Sequence, residues 1–175
     1  MKNVQKKDFV LLVSPISPPI GGIASWTENF FEKMNNHENI ILLNTSKICV
    51  SKFFLKFELL FNVFKVLKLF IPMVLLLITK SIIGAHISTS LSPLGIKRDK
   101  IFIKILKFFK CPIIMHVHCT IPDISNIYDN KDKIVELLKL ATHVVTLNKI
   151  SREFVLDYCH TSTSIIPNYY ENSNE

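Results

Sequence analysis

Glycine is scarce in this chain: four occur in 175 residues, and two of them stand together at Gly21-Gly22. That scarcity excludes the dinucleotide fingerprint G-x-G-x-x-G and the phosphate loop ending in Gly-Lys-Ser/Thr. Cysteine is equally sparse. Cys49, Cys111, Cys119 and Cys159 form no C-x-x-C pair, and their spacings fit neither a zinc site nor a disulfide framework. They read as scattered free thiols in a reducing compartment. Long apolar runs are missing too. The stretch Leu69 to Thr79 holds about eleven residues with Pro72 inside it, short of the ~20 that a spanning helix needs. Near the N-terminus, the apolar run before Ser14-Pro15 is about five residues, too short for a secretory signal. The expected location is cytoplasmic.

Acidic residues are lacking in one region only. Lys47 to Lys110 holds twelve basic residues and two acidic ones, Glu58 and Asp99, for a local +10. The remainder holds nine basic and twelve acidic residues, for −3, which together give the net +7 of the chain. Nine of the thirteen phenylalanines fall between Phe53 and Phe109. Basic charge mixed with aromatics favours an anionic membrane surface. Nucleic acid is the weaker reading, because no recognition motif accompanies the charge. The overall length suits one domain with a sizeable core, and a hydrophobic fraction of 49% argues against disorder outside the termini.

What the chain does contain is an alternation of strand and helix patterns. Strands are expected at Phe9–Val13, Ile40–Asn44, Ala85–Thr89, Pro112–His118, His143–Leu147 and Ser164–Ile166. Helices are expected at Ile23–Met34, at Lys52–Ile83 with a kink or break at Pro72, at Lys97–Phe109, at Asp132–Ala141 and at Ser151–Tyr158 with Ser151 as its cap. The pattern implies an α/β fold: a single Rossmann-like domain, mostly parallel, with helices on both faces. Only the tail from Glu171 to Glu175 reads as unstructured. Ligands of such sheets bind beyond the carboxyl ends of the strands.

Three constellations lie there or nearby. The first is the loop Ser14-Pro15-Ile16-Ser17-Pro18-Pro19-Ile20-Gly21-Gly22, which joins a buried strand to a helix. Such a turn brings backbone N–H groups up to a phosphate or a sugar, though a plain turn also uses paired glycines. No acidic residue ends the second strand, which finishes Asn44-Thr45-Ser46. The second is His116 and His118, two apart on one strand and so on one face. His118, at the strand's end, is placed to act as a general base or to orient a hydroxyl, whereas His116 lies deeper. A metal held by His116, His118 and Cys119 lacks a supporting carboxylate, so no metal is expected. Ser88, Ser90, Thr120, Asn148 and Ser151 stand at other strand ends as candidate cleft residues. The third is a lysine stripe, with Lys65 and Lys68 on one helix and Lys100 and Lys104 on another, as a candidate membrane face. Two plainly solvated helix faces are the competing reading.

Taken in order, these segments resemble the N-terminal half of a family 4 glycosyltransferase of the GT-B fold. Pro18-Pro19-Ile20-Gly21-Gly22-Ile23-Ala24 is similar to the family's glycine-rich first loop. Ala85–Thr89 resembles its third-strand segment, and Cys111–His118 its Pro-led strand ending in histidine. Ala141–Arg152 resembles the segment after that strand, and Ile165-Ile166-Pro167-Asn168 the Pro-Asn that closes the first domain.

The resemblance implies that residues 1–168 form the acceptor-binding domain and that 169–175 begin a linker. Gly21 and Gly22 would approach the donor's diphosphate or the transferred sugar, and His118 would lie near the reacting sugar. The implied partners are a nucleotide-sugar donor, a glycan or lipid-linked acceptor and an anionic membrane surface, on the inner face of the cell membrane, with no nucleic acid and no resident cofactor. The implied reaction moves a sugar from a nucleotide-sugar to an acceptor hydroxyl, in cell-surface polysaccharide or glycolipid synthesis. The family's donor-binding domain has no counterpart in these 175 residues, so the chain alone is expected to be inactive. The alternative is a non-catalytic, membrane-recruiting subunit that complements a separate donor-binding protein.

Overall fold

The computed structural model describes residues 7–18, 20–34, 38–46 and 58–168. Pro19, Cys49, the 52–57 start of the expected long helix, the Lys65 side chain and the 171–175 tail lie outside the described residues. Six strands form one sheet: β1 Asp8–Ser14, β2 Ile40–Asn44, β3 Ser81–Thr89, β4 Ile113–Val117, β5 His143–Thr146 and β6 Thr163–Ile165. Their order is β2-β1-β3-β4-β5-β6, and every pairing is parallel. The helices are α1 Gly22–Lys33, α2 Glu58–Thr79, α3 Pro93–Phe108, α4 Ile121–Tyr128, α5 Lys131–Leu138 and α6 Lys149–Phe154. A π-helical turn, Val155–Cys159, extends α6 and ends at His160 in the left-handed region. The chain is an α/β domain of Rossmann-like type, as expected, and among the described residues every strand pairing is parallel.

Alternation along the strands divides the sheet into two unlike faces. Leu11 and Val13 of β1, Ala85 and Ile87 of β3, Ile113, Met115 and Val117 of β4 and Val144 of β5 point one way and join one buried cluster. Met73 of α2, Ile96, Phe102, Ile103 and Leu106 of α3, Ile134, Leu137 and Leu138 of α5, and Phe154 of α6 complete that cluster. The other face carries Leu12, Ser14, His86, Ser88 and His116, and α1 packs on it. The strand order gives the reason. From β1 the chain first moves to β2 and then turns back across β3, β4, β5 and β6. Right-handed crossovers then put α1 on one face and the later helices on the other.

Several boundaries differ from the sequence expectation. One uninterrupted helix runs through Pro72 to Thr79 rather than breaking there. Pro72 is exposed, so the carbonyl it leaves unpaired at Lys68 can turn to water. Ser81, Ile82 and Ile83 belong to β3 and not to the helix, because Ser81 and Ile82 pair with Asp8 and Phe9. The helix expected from Lys97 starts four residues earlier at Pro93. Ser92 caps it by accepting the Gly95 amide (3.2 Å). A Cβ at Gly95 would sit 2.9 Å from that Ser92 oxygen, so a larger residue there would push the capping hydroxyl aside. Asn148, not Ser151, caps α6. Helix α4 was not anticipated at all.

Phe102 is fully buried, and its ring meets Phe70 with 4.7 Å between centroids, which locks α2 to α3. Phe102→Ala is expected to cost about 3–5 kcal/mol in urea unfolding, by lost transfer energy and the cavity left behind. A cost below ~1 kcal/mol would contradict this packing.

Candidate functional site

The strand order reverses between β1 and β3, and ligands of open parallel sheets bind beyond the strand ends at such a switch point. Here that crevice lies between the β1–α1 loop, the β3–α3 turn and the end of β4.

The β1–α1 loop is fixed at its start and free at its end. The Ile16 amide donates to Ser46 Oγ (3.0 Å), and the Ser46 hydroxyl donates back to the Ile16 carbonyl. The Ser17 amide donates to Glu28 Oε1 (3.0 Å). Thr27 spends its hydroxyl proton on the Ile23 carbonyl (2.8 Å), so Ser14 must be the donor in the buried 2.6 Å contact with Thr27. These bonds set the angle of α1 against β1. Gly21 and Gly22, by contrast, are exposed, and an added Cβ on either would meet nothing within 4 Å. Neither glycine has a positive φ, and Gly21 at −171° is ordinary extended backbone. The fold therefore gives no internal reason for the pair.

One turn into α1 stands Trp26, the chain's single tryptophan. It covers an unexpected cluster of histidines. His86 on β3 joins His116 on β4 and His118 just beyond it, all on the α1 face. Trp26 stacks on His86 (5.6 Å between centroids) and meets His116 (5.0 Å) and His118 (4.9 Å) edge to face. His116 and His118 lie 4.0 Å apart, and His86 and His116 5.4 Å. Burial is the main reason all three are held neutral. It lowers His86 to about 4. His116 falls to about 3 by burial, then by His118 and His86. His118 falls to about 4 by burial, opposed by the Asn168 side chain and aided by His86. Asn168 thus lies beside His118. Even so, neither His118 ring nitrogen nor Asn168 Oδ1 completes a hydrogen bond among the described residues. The same holds for both nitrogens of His116, for His86 Nε2 and for the Ser88 hydroxyl, which neighbours His116 across the sheet. These unpaired atoms are themselves buried, so a hydroxyl-rich ligand or water reaches them only where the covering side chains, Trp26 among them, move aside.

The β3–α3 turn is held from beneath by Asp99, which is fully buried. Arg98 grips its Oδ1 through Nε (2.8 Å) and Nη2 (2.7 Å). Burial still pushes the Asp99 carboxyl upward, against the pull of Arg98 and Thr89. Thr89 Oγ1 also accepts the Leu91 amide (3.2 Å), in a turn where Leu91 takes φ 55°. The turn presents Ser90 to solvent.

The other sequence candidates are placed less simply. Thr120, Asn148 and Ser151 do gather, but into one another. Asn148 Nδ2 donates to Thr120 Oγ1 (3.2 Å), and Asn148 Oδ1 accepts the Ser151 amide (2.8 Å). Ser151 Oγ accepts the Ile121 amide (3.0 Å). These bonds tie the starts of α4 and α6 together. Cys119 donates to the Ser90 carbonyl (3.4 Å), and burial followed by Asp123 pushes its thiol up to about 12. Among the described residues, no group of three His, Cys, Asp or Glu side chains is placed to hold a metal. Lys68 and Lys104 are exposed, whereas Lys100 is paired with Glu136 (2.6 Å). A separate groove of about 310 Å³ lies among α4, α5, α6 and the π-helical turn, where the Lys131 ammonium sits 3.4 Å from the Tyr158 ring centroid.

His86 and Trp26 were not singled out in the sequence. The signal for His86 is its parity on β3 relative to the histidines of β4. No protein-family model matches the chain, and no curated protein matches it.

The neutral cluster makes stability depend on pH with a definite sign. Below the ordinary histidine value of 6.5 the unfolded chain takes up protons that the folded chain refuses. The stabilisation is complete above 6.5 and is lost as pH falls toward about 4. Denaturant unfolding, read by Trp26 fluorescence, is expected to weaken steadily across that window. His118→Gln should remove up to one proton from the slope, at most ~1.4 kcal/mol per pH unit. An unchanged slope in that variant would show that His118 already titrates normally.

Proposed function

We propose that this domain is the acceptor-binding half of a sugar-transferring enzyme, working with a donor-binding partner domain that carries the nucleotide-sugar. In this reading the acceptor is a glycan or lipid-linked saccharide, and the protein works as a peripheral partner of an anionic membrane surface. The observation that carries it is the Gly21-Gly22 pair. It stands open at the switch point, one helical turn from Trp26, with no steric or backbone need for glycine. Bare backbone at such a place suits close approach of a ligand to the N–H groups that open α1.

The chemistry of the crevice favours a neutral, hydroxyl-rich ligand here. Residues 14–22, 88–96 and 118–123 contain no lysine or arginine. A diphosphate in the crevice would draw its countercharge from elsewhere, which fits a partner domain supplying the donor contacts. Trp26 offers an aromatic edge, and behind it Ser88, His118 and Asn168 hold unspent but buried hydrogen bonds that a ligand gains once Trp26 shifts. His118 is better matched to orienting a hydroxyl than to removing its proton. A value of about 4 makes it a weak base near neutral pH.

Gly21→Ala and Gly22→Ala separate a ligand role from a structural one. Both should leave stability unchanged or raise it by about 0.4–1 kcal/mol, since the backbone accepts alanine at either position. Both should also weaken saccharide binding, followed by Trp26 fluorescence over a panel of oligosaccharides and nucleotide-sugars. Binding unchanged in both variants, or no response of Trp26 to any sugar, would overturn the proposal.

A further inference from the structure

The helix layer on the core side has an unusual outer surface. On α3, Ile96, Phe102, Ile103 and Leu106 are buried beneath it. On the opposite side, Leu94, Ile101 and Phe108 follow one another at seven-residue intervals, so they form one line along the helix. They are 78%, 42% and 82% exposed. Lys97 and Lys104 run beside them in the same repeat, both exposed. Helix α2 repeats the arrangement with exposed Ile71, Leu75 and Ile78 next to Lys68. Contact of Phe70 with Phe102 places both helices in one layer. From 68 to 79 and along α3 the sole carboxylate is Asp99, buried against Arg98.

We propose that this outer face of α2 and α3 docks on a bilayer carrying anionic headgroups. Leu94, Ile101 and Phe108 enter the acyl boundary, while Lys68, Lys97, Lys104 and Lys107 meet the headgroups. The charge pattern selects this occupant over a second copy of the chain. A two-fold dimer through the same face would bring lysine rows together with Glu136, already paired to Lys100, as the carboxylate beside them, leaving positive charge in excess. Helices covering a parallel sheet lie in a layer parallel to it. A bilayer against that layer therefore runs parallel to the strands, and the crevice at their carboxyl ends opens along the membrane surface. Trp26 and the glycine pair lie across the sheet from that layer, so an acceptor anchored in the bilayer must extend past the strand ends to meet them. The inference deepens the membrane part of the proposed function and is independent of its sugar chemistry.

Co-sedimentation with vesicles tests it, using phosphatidylcholine alone and phosphatidylcholine mixed with phosphatidylglycerol. The chain should bind the mixed vesicles, release them as salt rises, and ignore the neutral ones. Lys97→Gln with Lys104→Gln should weaken binding about tenfold or more. Ile101→Ser with Phe108→Ser should also abolish most of it. Circular dichroism checks that the variants stay folded, as expected for exposed positions. Absence of binding, equal binding to neutral vesicles, or variants that bind like the parent would overturn the proposal. So would sedimentation equilibrium showing a dimer that the Ile101→Ser, Phe108→Ser variant dissociates. Loss of saccharide binding with intact vesicle binding would instead tell against the sugar reading alone.

Discussion

Side chains of a β-strand must alternate between faces, and in β3 and β4 that constraint governs the whole domain. One parity carries Ala85, Ile87, Ile113, Met115 and Val117 into the core. The other necessarily carries His86, Ser88 and His116 to the face beneath α1. Parallel pairing places these residues side by side, and the right-handed return of the chain leaves α1 to cover them. Trp26 then closes over three imidazoles. A polar cluster and a complete apolar core thus arise from the same strands, without any strand sacrificing its packing.

Burying three imidazoles is costly unless they stay neutral, and they do. The surrounding loops are divided in a corresponding way. Ser14, Thr27, Glu28 and Ser46 fix the root of the β1–α1 loop, and Asp99 with Thr89 fixes the β3–α3 turn. What these anchors leave free is the glycine pair and the edge of the histidine cluster. With the loops around it held fixed, Trp26 is the side chain a ligand must displace to meet the spare valence of the cluster.

Strand positions and the parallel α/β class were legible because each strand is a short apolar run between turn residues. Helix starts were less legible. Pro93 and Pro122 lie in the first turns of α3 and α4, where proline costs nothing, yet Ser92-Pro93 and Ile121-Pro122 read as loop. Ser151 was legible as a strand-end residue but not as a partner of Ile121, since that bond depends on two loops meeting. Asn44 and Ser46, noted only because no acid stands there, hold the Ile16 backbone. The His86–Trp26 contact depends on register and on the face α1 takes, neither of which one segment of sequence contains.

The most direct measurement is a nuclear magnetic resonance titration of the isotope-labelled chain with oligosaccharides. The expected result is shifts at the Gly21 and Gly22 amides, the Trp26 indole and the His118 ring, with Asn148 and Tyr158 unmoved. Shifts confined to the groove at Lys131 and Tyr158, or none at Trp26 and His118, would contradict a sugar site at the switch point.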